Sequence, residues 1–409
     1  MIPISDDSYN RLSNCEFHFD TTMAQQDKFA FVEAALARRA EKQQLRALQS
    51  VEPVDAVQVR QEGRLQINFS SNDYLGLAKH PALIATAQRY IAQYGTSASA
   101  SRLVTGTYSI HRQLETKLAA ACGQEAALLF SSGFQANSTV LPTLLDRHAV
   151  VLCDRSVHNS LLQGILASGA RLIRYAHNHL QQLAHHLETV SRQSYSRVLI
   201  VTETVFSMDG DQSNVNRLVQ LAQRYNAILY LDDAHGLGVW GQGGMGLAAH
   251  HSVDLTVGTF GKAFGAFGAF VTCSQKLREY LINCCPGFIY TTALPPAVLG
   301  TIDAALSLMP QLEVERRQLV RQAEILRSQL QQIGFDTGSS TTQIIPLVIG
   351  AEDKTLRLSQ WLAAQGILAT AIRPPTVAPN TARIRLALSA CHTSDHLDHL
   401  LQSLKTWHG

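Results

Sequence analysis

An acid pair and a histidine, Asp232-Asp233-Ala234-His235, stand thirty residues ahead of a lysine set between glycines, Gly261-Lys262 with Gly265 beyond it. The apolar run 227–231 delivers the acids and the histidine to a strand end, and the run 255–259 delivers the lysine. Small and apolar neighbours (Val257, Phe260, Ala263, Phe264) disfavour the ammonium form of Lys262, so its amine becomes available for imine formation. A carboxylate nearby can pair with a protonated ring nitrogen. These are the two parts of a pyridoxal 5'-phosphate (PLP) site: a Schiff-base lysine, and an acid that keeps the ring cationic so that it accepts the electrons of a carbanion. Asp232, three residues before His235, is the candidate acid. The glycines that follow, Gly236 and Gly238, imply a ligand close to the backbone.

Other segments offer the remaining contacts. Ser131-Ser-Gly-Phe-Gln-Ala-Asn137 lies between a strand pattern and a helical one. The free N–H groups and positive end of a helix start there can hold the cofactor phosphate, with Gly133 and Phe134 at the turn and the Thr259 hydroxyl beside it. An ordinary strand-to-helix turn would read the same way. His158, after another apolar run, could stack on the pyridine ring or simply cap a helix. Ser207, in Glu203-Thr-Val-Phe-Ser-Met-Asp-Gly-Asp211, could reach the ring hydroxyl. Arg373 precedes Pro374-Pro375, which keep it out of helical conformation; a rigidly presented guanidinium suits a substrate carboxylate, and a surface loop arginine is the bland alternative.

These residues need a scaffold with several strand ends on one edge. Between residues 66 and 305 the runs 126–130, 149–153, 197–201, 227–231 and 268–271 are continuously apolar and alternate with helical stretches. Such runs fit strands covered on both faces, hence an α/β fold with a mostly parallel central sheet and helices on both faces. Ligands then bind at the carboxyl ends of the strands, where the chemical residues cluster. Residues 311–333 read as a long helix leaving this large domain, and residues 306–409 as a smaller C-terminal α+β domain. In it, 342–349 reads as a strand, Asp353 as a helix cap, Gly366 as that helix's stop, 382–388 as an alternating half-buried strand, and Thr393 as the cap of a final helix. Residues 1–65 would form an N-terminal extension and arm helix, the first 25 being a loose segment unlike a signal peptide.

Composition narrows the class further. With 46% hydrophobic and 16% charged residues in 409, the chain reads as compact, and a formal charge of +2 is too balanced for nucleic-acid or membrane-surface binding. Seven cysteines, odd in number and without CxxC spacing, read as free thiols of a reducing, cytoplasmic compartment. Gly241-Gln-Gly-Gly-Met-Gly246 matches GxGxxG without a framing βαβ unit and reads as a loop, and the pairs His185-His186 and His250-His251 lack metal-ligand partners.

Taken in order, Asn68-Phe-Ser-Ser-Asn-Asp-Tyr-Leu-Gly-Leu77, Phe206-Ser-Met-Asp-Gly-Asp211, Asp232-Asp-Ala-His-Gly236 and Thr259-Phe-Gly-Lys262 resemble the α-oxoamine synthase family of fold-type I PLP transferases, from about residue 30 onward. The segment Thr370-Ala-Ile-Arg-Pro-Pro-Thr-Val377 resembles the branch that uses L-alanine and a pimeloyl thioester, on coenzyme A or acyl carrier protein; a sibling such as glycine C-acetyltransferase is the alternative. The resemblance implies that Lys262 holds PLP and removes the Cα proton. It implies that Asp232 pairs with the ring nitrogen, that His235 and Ser207 contact the ring hydroxyl, and that His158 stacks on the ring. Gly133, Phe134 and Thr259 would position the cofactor, and Thr291 and Thr292 would reach a phosphate across a homodimer interface. Arg46, in an expected helix over 36–48, and Thr376 would touch substrate together with Arg373.

Overall fold

The computed structural model describes residues 27–408, so the expectation for residues 1–25 lies outside it. The chain divides into two units between Leu48 and Gln49. In the first, the helix spans Ala30–Glu41 rather than 36–48. Gln43 takes a left-handed conformation (φ 52°), which ends the helix and leaves Arg46 in the irregular stretch beyond it.

The second unit contains three sheets. Near its start lie β1 (Glu52–Pro53), β2 (Gln58–Gln61) and β3 (Arg64–Asn68). The central sheet uses β4 (Ala126–Phe130), β5 (Val150–Asp154), β6 (Arg171–Tyr175), β7 (Val198–Glu203), β8 (Ile228–Asp232), β9 (Leu255–Thr259) and β10 (Ala269–Cys273). Its order is β4-β10-β9-β8-β7-β5-β6, and β10 alone runs antiparallel to its neighbours. The mostly parallel α/β sheet is therefore as expected, with strand ends within two residues of the apolar runs. The cause of those runs is visible in the cores. On β5, Val150 and Leu152 join one buried cluster while Val151 and Cys153 join another, because successive side chains leave opposite faces and helices cover both.

The smaller C-terminal domain holds β11 (Ile344–Gly350), β13 (Ala371–Ile372) and β14 (Ala382–Ala387) in the order β11-β14-β13. The short β12 (Ile367–Leu368) pairs in parallel with β3 instead and closes the sheet β1-β2-β3-β12. Three helices, Glu313–Gln332, Glu352–Ala364 and Ser394–Lys405, belong to this part. Thr393 caps the last as expected, accepting from the His396 N–H, and Gly366 (φ 76°) follows the end of the middle one. Asp353 is not a cap: the cap position is Ala351, and Asp353 sits in the first turn paired with Arg357 at 2.6 Å.

β14 differs from expectation more deeply. Its alternation of Arg383 and Arg385 with apolar residues reads as one wet face, yet all six of its residues are buried. Arg383 reaches Asp209 at 2.6 Å and the Met208 carbonyl at 3.2 Å, while Arg385 donates to the Ser207 carbonyl. The polar face is turned inward onto the loop that carries Ser207. Four cysteines (Cys122, Cys153, Cys273, Cys285) are buried free thiols, whereas Cys284 and Cys391 are exposed. Among the described residues, no helix is long and apolar enough to cross a membrane.

Candidate active site

β8 ends at Asp232, and strand alternation puts Asp232 on the same face as Tyr230. The helix Gly133–Leu144 supplies Asn137 to both of them: Asn137 Nδ2 donates to Asp232 Oδ2 at 2.7 Å, and Tyr230 OH donates to Asn137 Oδ1 at 2.9 Å. The Ala234 N–H completes the grip on Asp232 Oδ1 at 2.9 Å. Asp233 has a different task. Its oxygens accept from the Thr204 hydroxyl and from the Ala248 N–H at 2.8 Å, and burial pushes its pKa up to about 7. The glycines after it are required by the protein's own packing. A Cβ on Gly236 would stand 2.0 Å from Asp233 Oδ1, and one on Gly238 (φ 86°) would stand 2.3 Å from Ala263 Cβ.

Lys262 follows β9 in the turn 260–266. The residue is half-buried as a whole, with its amine end deeper. Burial lowers its pKa to about 8, assisted by Arg385 and opposed by the carboxyl groups of Asp232 and Glu203. His235 is buried as well, its Nδ1 2.6 Å from Tyr74 OH. Burial, then Lys262, Arg385 and His158, hold its pKa well below the usual imidazole range, so it is neutral. His158 is exposed as a whole residue and caps the helix Asn159–Ser168, and its pKa too is lowered by desolvation of the imidazole and by Lys262, against the pull of Asp232. Capping and a place at the site are not alternatives for this histidine. These mutual influences show that Lys262, Asp232, His235 and His158 share one electrostatic environment at the carboxyl edge of the sheet.

Gly133 is the first residue of the helix capped by Ser132, as the motif implies, and a Cβ on it would lie 3.8 Å from Thr259 Cβ. The helix start, the Thr259 hydroxyl and the Gly261 N–H (3.4 Å from that hydroxyl) thus sit together. Phe134 is exposed beside them. Ser207 lies in the loop between β7 and the helix Val215–Tyr225, where Arg385 binds its carbonyl. Arg373 is half-buried just after β13, and the Thr376 N–H closes a turn onto its carbonyl at 3.1 Å. Thr292 bridges to Ser101, with Thr291 beside it. A cavity of about 360 Å³ among Gln124, Asn226, Asp254 and Ser274 opens at the opposite edge of the sheet, since Asp254 precedes β9 and Asn226 precedes β8.

Sequence reasoning missed several polar groups. Glu203 ends β7 directly opposite Asp232, accepts from the His158 N–H, and is held well above the usual carboxylate range by burial and by Asp232. Asn137, Ser160, Tyr74 and Arg385 are the others. Asn137 and Tyr74 lie inside quoted motifs, the only signal available for them.

The sequence pattern of the class I and II aminotransferases matches residues 64–404. A putative 8-amino-7-oxononanoate synthase of Desulfosudis oleivorans is 47% identical over 93% of this chain and 99% of its own. The 8-amino-7-oxononanoate synthase of Gluconacetobacter diazotrophicus is 50% identical over 88% of this chain and 92% of its own. The chain belongs to the 8-amino-7-oxononanoate synthase family. Members of this family are acyltransferase-type enzymes of the fold-type I PLP class, and this chain is one of them. Among solved structures, Sphingomonas wittichii serine palmitoyltransferase superposes with a TM-score of 0.87 at 26% identity, covering 93% of this chain and 98% of that one. The 8-amino-7-oxononanoate synthase of Francisella tularensis superposes at 0.72 and 26% identity, covering 83% and 97%.

The cofactor is PLP, and the residues present fit it. A lysine amine shifted toward neutrality, a carboxylate locked by two N–H donors, and a helix start beside a threonine hydroxyl are the groups its aldehyde, ring nitrogen and phosphate require.

Proposed function

We propose that this enzyme condenses L-alanine with a pimeloyl thioester, carried on coenzyme A or acyl carrier protein, to give 8-amino-7-oxononanoate, CO2 and free thiol for biotin synthesis in the cytoplasm. The observation that carries the reading is the Lys262 amine, lowered to about 8 beside the anchored Asp232. PLP, when bound, supplies the electron sink for a carbanion at the amino-acid Cα.

The chain's own residues then divide the work. Lys262 would hold the cofactor, and its neutral Nζ, once free, would take the Cα proton. Asp232 keeps the ring nitrogen protonated. His235 and Ser207 would meet the ring hydroxyl, and His158 would lie against the ring. Gly133, Phe134 and Thr259 hold the phosphate end, and Thr291 and Thr292 reach the same group from the second subunit of a homodimer. Arg373 grips the alanine carboxylate, while Thr376 contacts the acyl donor. A carbon–carbon bond forms between Cα and the thioester carbonyl as the thiol leaves. The alanine carboxylate departs as CO2, and a proton returns to Cα from Lys262.

Borohydride reduction of the holoenzyme followed by peptide mass spectrometry tests the cofactor lysine: the tag belongs on Lys262, and a tag on another lysine with full turnover overturns the reading. Assays of alanine, glycine and serine against pimeloyl-CoA and acetyl-CoA test the substrates. Preference for glycine with acetyl-CoA would instead place the chain with glycine C-acetyltransferase.

A further inference from the structure

Asn137 and Ser160 have no assigned part in the chemistry, yet both are buried at 1% exposure and must satisfy every polar atom within the protein. Asn137 Oδ1 accepts from Tyr230 OH, and its two Nδ2 hydrogens go to Asp232 Oδ2 at 2.7 Å and Ser160 Oγ at 2.9 Å. An ionised carboxylate only accepts, so turning the amide round would set Oδ1 against Asp232 and strand Tyr230 OH. The amide orientation is thereby settled.

Direction then passes along the relay. Ser160 Oγ accepts from Asn137, and its own proton goes to the other neighbour, His158 Nδ1, at 2.8 Å. The Ser160 backbone N–H reaches the same nitrogen at 3.3 Å. Nδ1 faces two donors and carries no proton, so the proton of the neutral imidazole sits on Nε2.

We propose that Asn137 and Ser160 are positioning residues that fix His158 as its Nε2–H tautomer while holding the Asp232 carboxylate in place. One relay then orients both groups that a bound ring meets, and His158 offers a donor, suited to an anionic oxygen of the bound amino acid, rather than an acceptor. The inference rests on the roles given above to Asp232 and His158.

The test is nitrogen NMR of holoenzyme labelled with 15N-histidine, with His158→Gln used to assign the resonances. The expected result is a pyridine-like Nδ1 and a pyrrole-like Nε2 for His158 from pH 6 to 8. Ser160→Ala removes the hydroxyl donor and should give a mixture of tautomers. Asn137→Leu should do the same and also weaken PLP retention about tenfold, the equivalent of about 1.4 kcal/mol. A protonated Nδ1 in the wild type, or an unchanged tautomer in Ser160→Ala, overturns the proposal even if Asn137→Leu fails to fold. A borohydride tag on a lysine other than Lys262, with the tautomer as expected, would instead fault the cofactor reading and leave the relay standing.

Discussion

The ionisation of Lys262 can be read directly in the apoenzyme. An ordinary lysine at 10.5 is neutral in about one molecule in 3,000 at pH 7, whereas a pKa of about 8 makes that about one in ten, a gain of roughly 300-fold in the nucleophilic form. Trace acetylation with acetic anhydride, quantified on the Lys262 peptide across pH 6 to 11, should show a midpoint near 8. Neighbours must move that midpoint in opposite directions. Arg385→Gln removes a cation and raises it; Asp232→Asn removes an anion and lowers it. The linkage sign follows. Because the folded pKa lies below the unfolded one, the unfolded chain binds more protons between about pH 8 and 10.5, and apoenzyme stability rises with pH through that window. The thermal midpoint of wild-type apoenzyme relative to Lys262→Met should therefore climb over the same range. A midpoint near 10.5, or a downward shift in Arg385→Gln, would refute the claim that burial against opposing carboxyl groups sets this amine.

Two further predictions concern the loop that carries Ser207. The Arg383–Asp209 pair at 2.6 Å, with Arg383 only 9% exposed, ties β14 to this loop, so Arg383→Met should cost about 2 kcal/mol. A double-mutant cycle with Asp209→Asn in denaturant should return a clear coupling, and additive costs would contradict the tie. On the other side, His177 lies between Asp154 at 3.1 Å and Asp211 at 2.9 Å. Burial alone would lower its pKa, but hydrogen bonds to the two carboxylates outweigh that and raise it to about 10. The raised folded value means this stabilisation is complete below about pH 6.5 and lost as pH rises through about 10. His177→Gln should then lower the thermal midpoint strongly at pH 6 and much less at pH 10; an equal loss at both would show that the imidazole acts uncharged.

What the sequence discloses here follows from the range of the interactions involved. β4 and β9 coincide with their apolar runs because burial on both sheet faces is written residue by residue into the strand. The Asp232–Lys262 pairing was legible for a related reason: parallel strands deliver their carboxyl ends to one edge, so two chemical residues at strand ends need no further information to meet. β14 failed for want of such information. An alternating strand with arginines on one face has the same pattern whether that face meets water or a loop of acceptors, and the acceptors Ser207, Met208 and Asp209 stand more than 170 residues away. Asn137 was hidden differently. Its segment signals a helix start through several polar residues at once, and only the packing of that helix under β8 distinguishes the side chain that meets Asp232 from those that cap or face outward. Strand periodicity could have named the partner, since Tyr230 and Asp232 must share a face. What no pattern holds is which helix lies beneath that face, and that is where the control of the carboxylate resides.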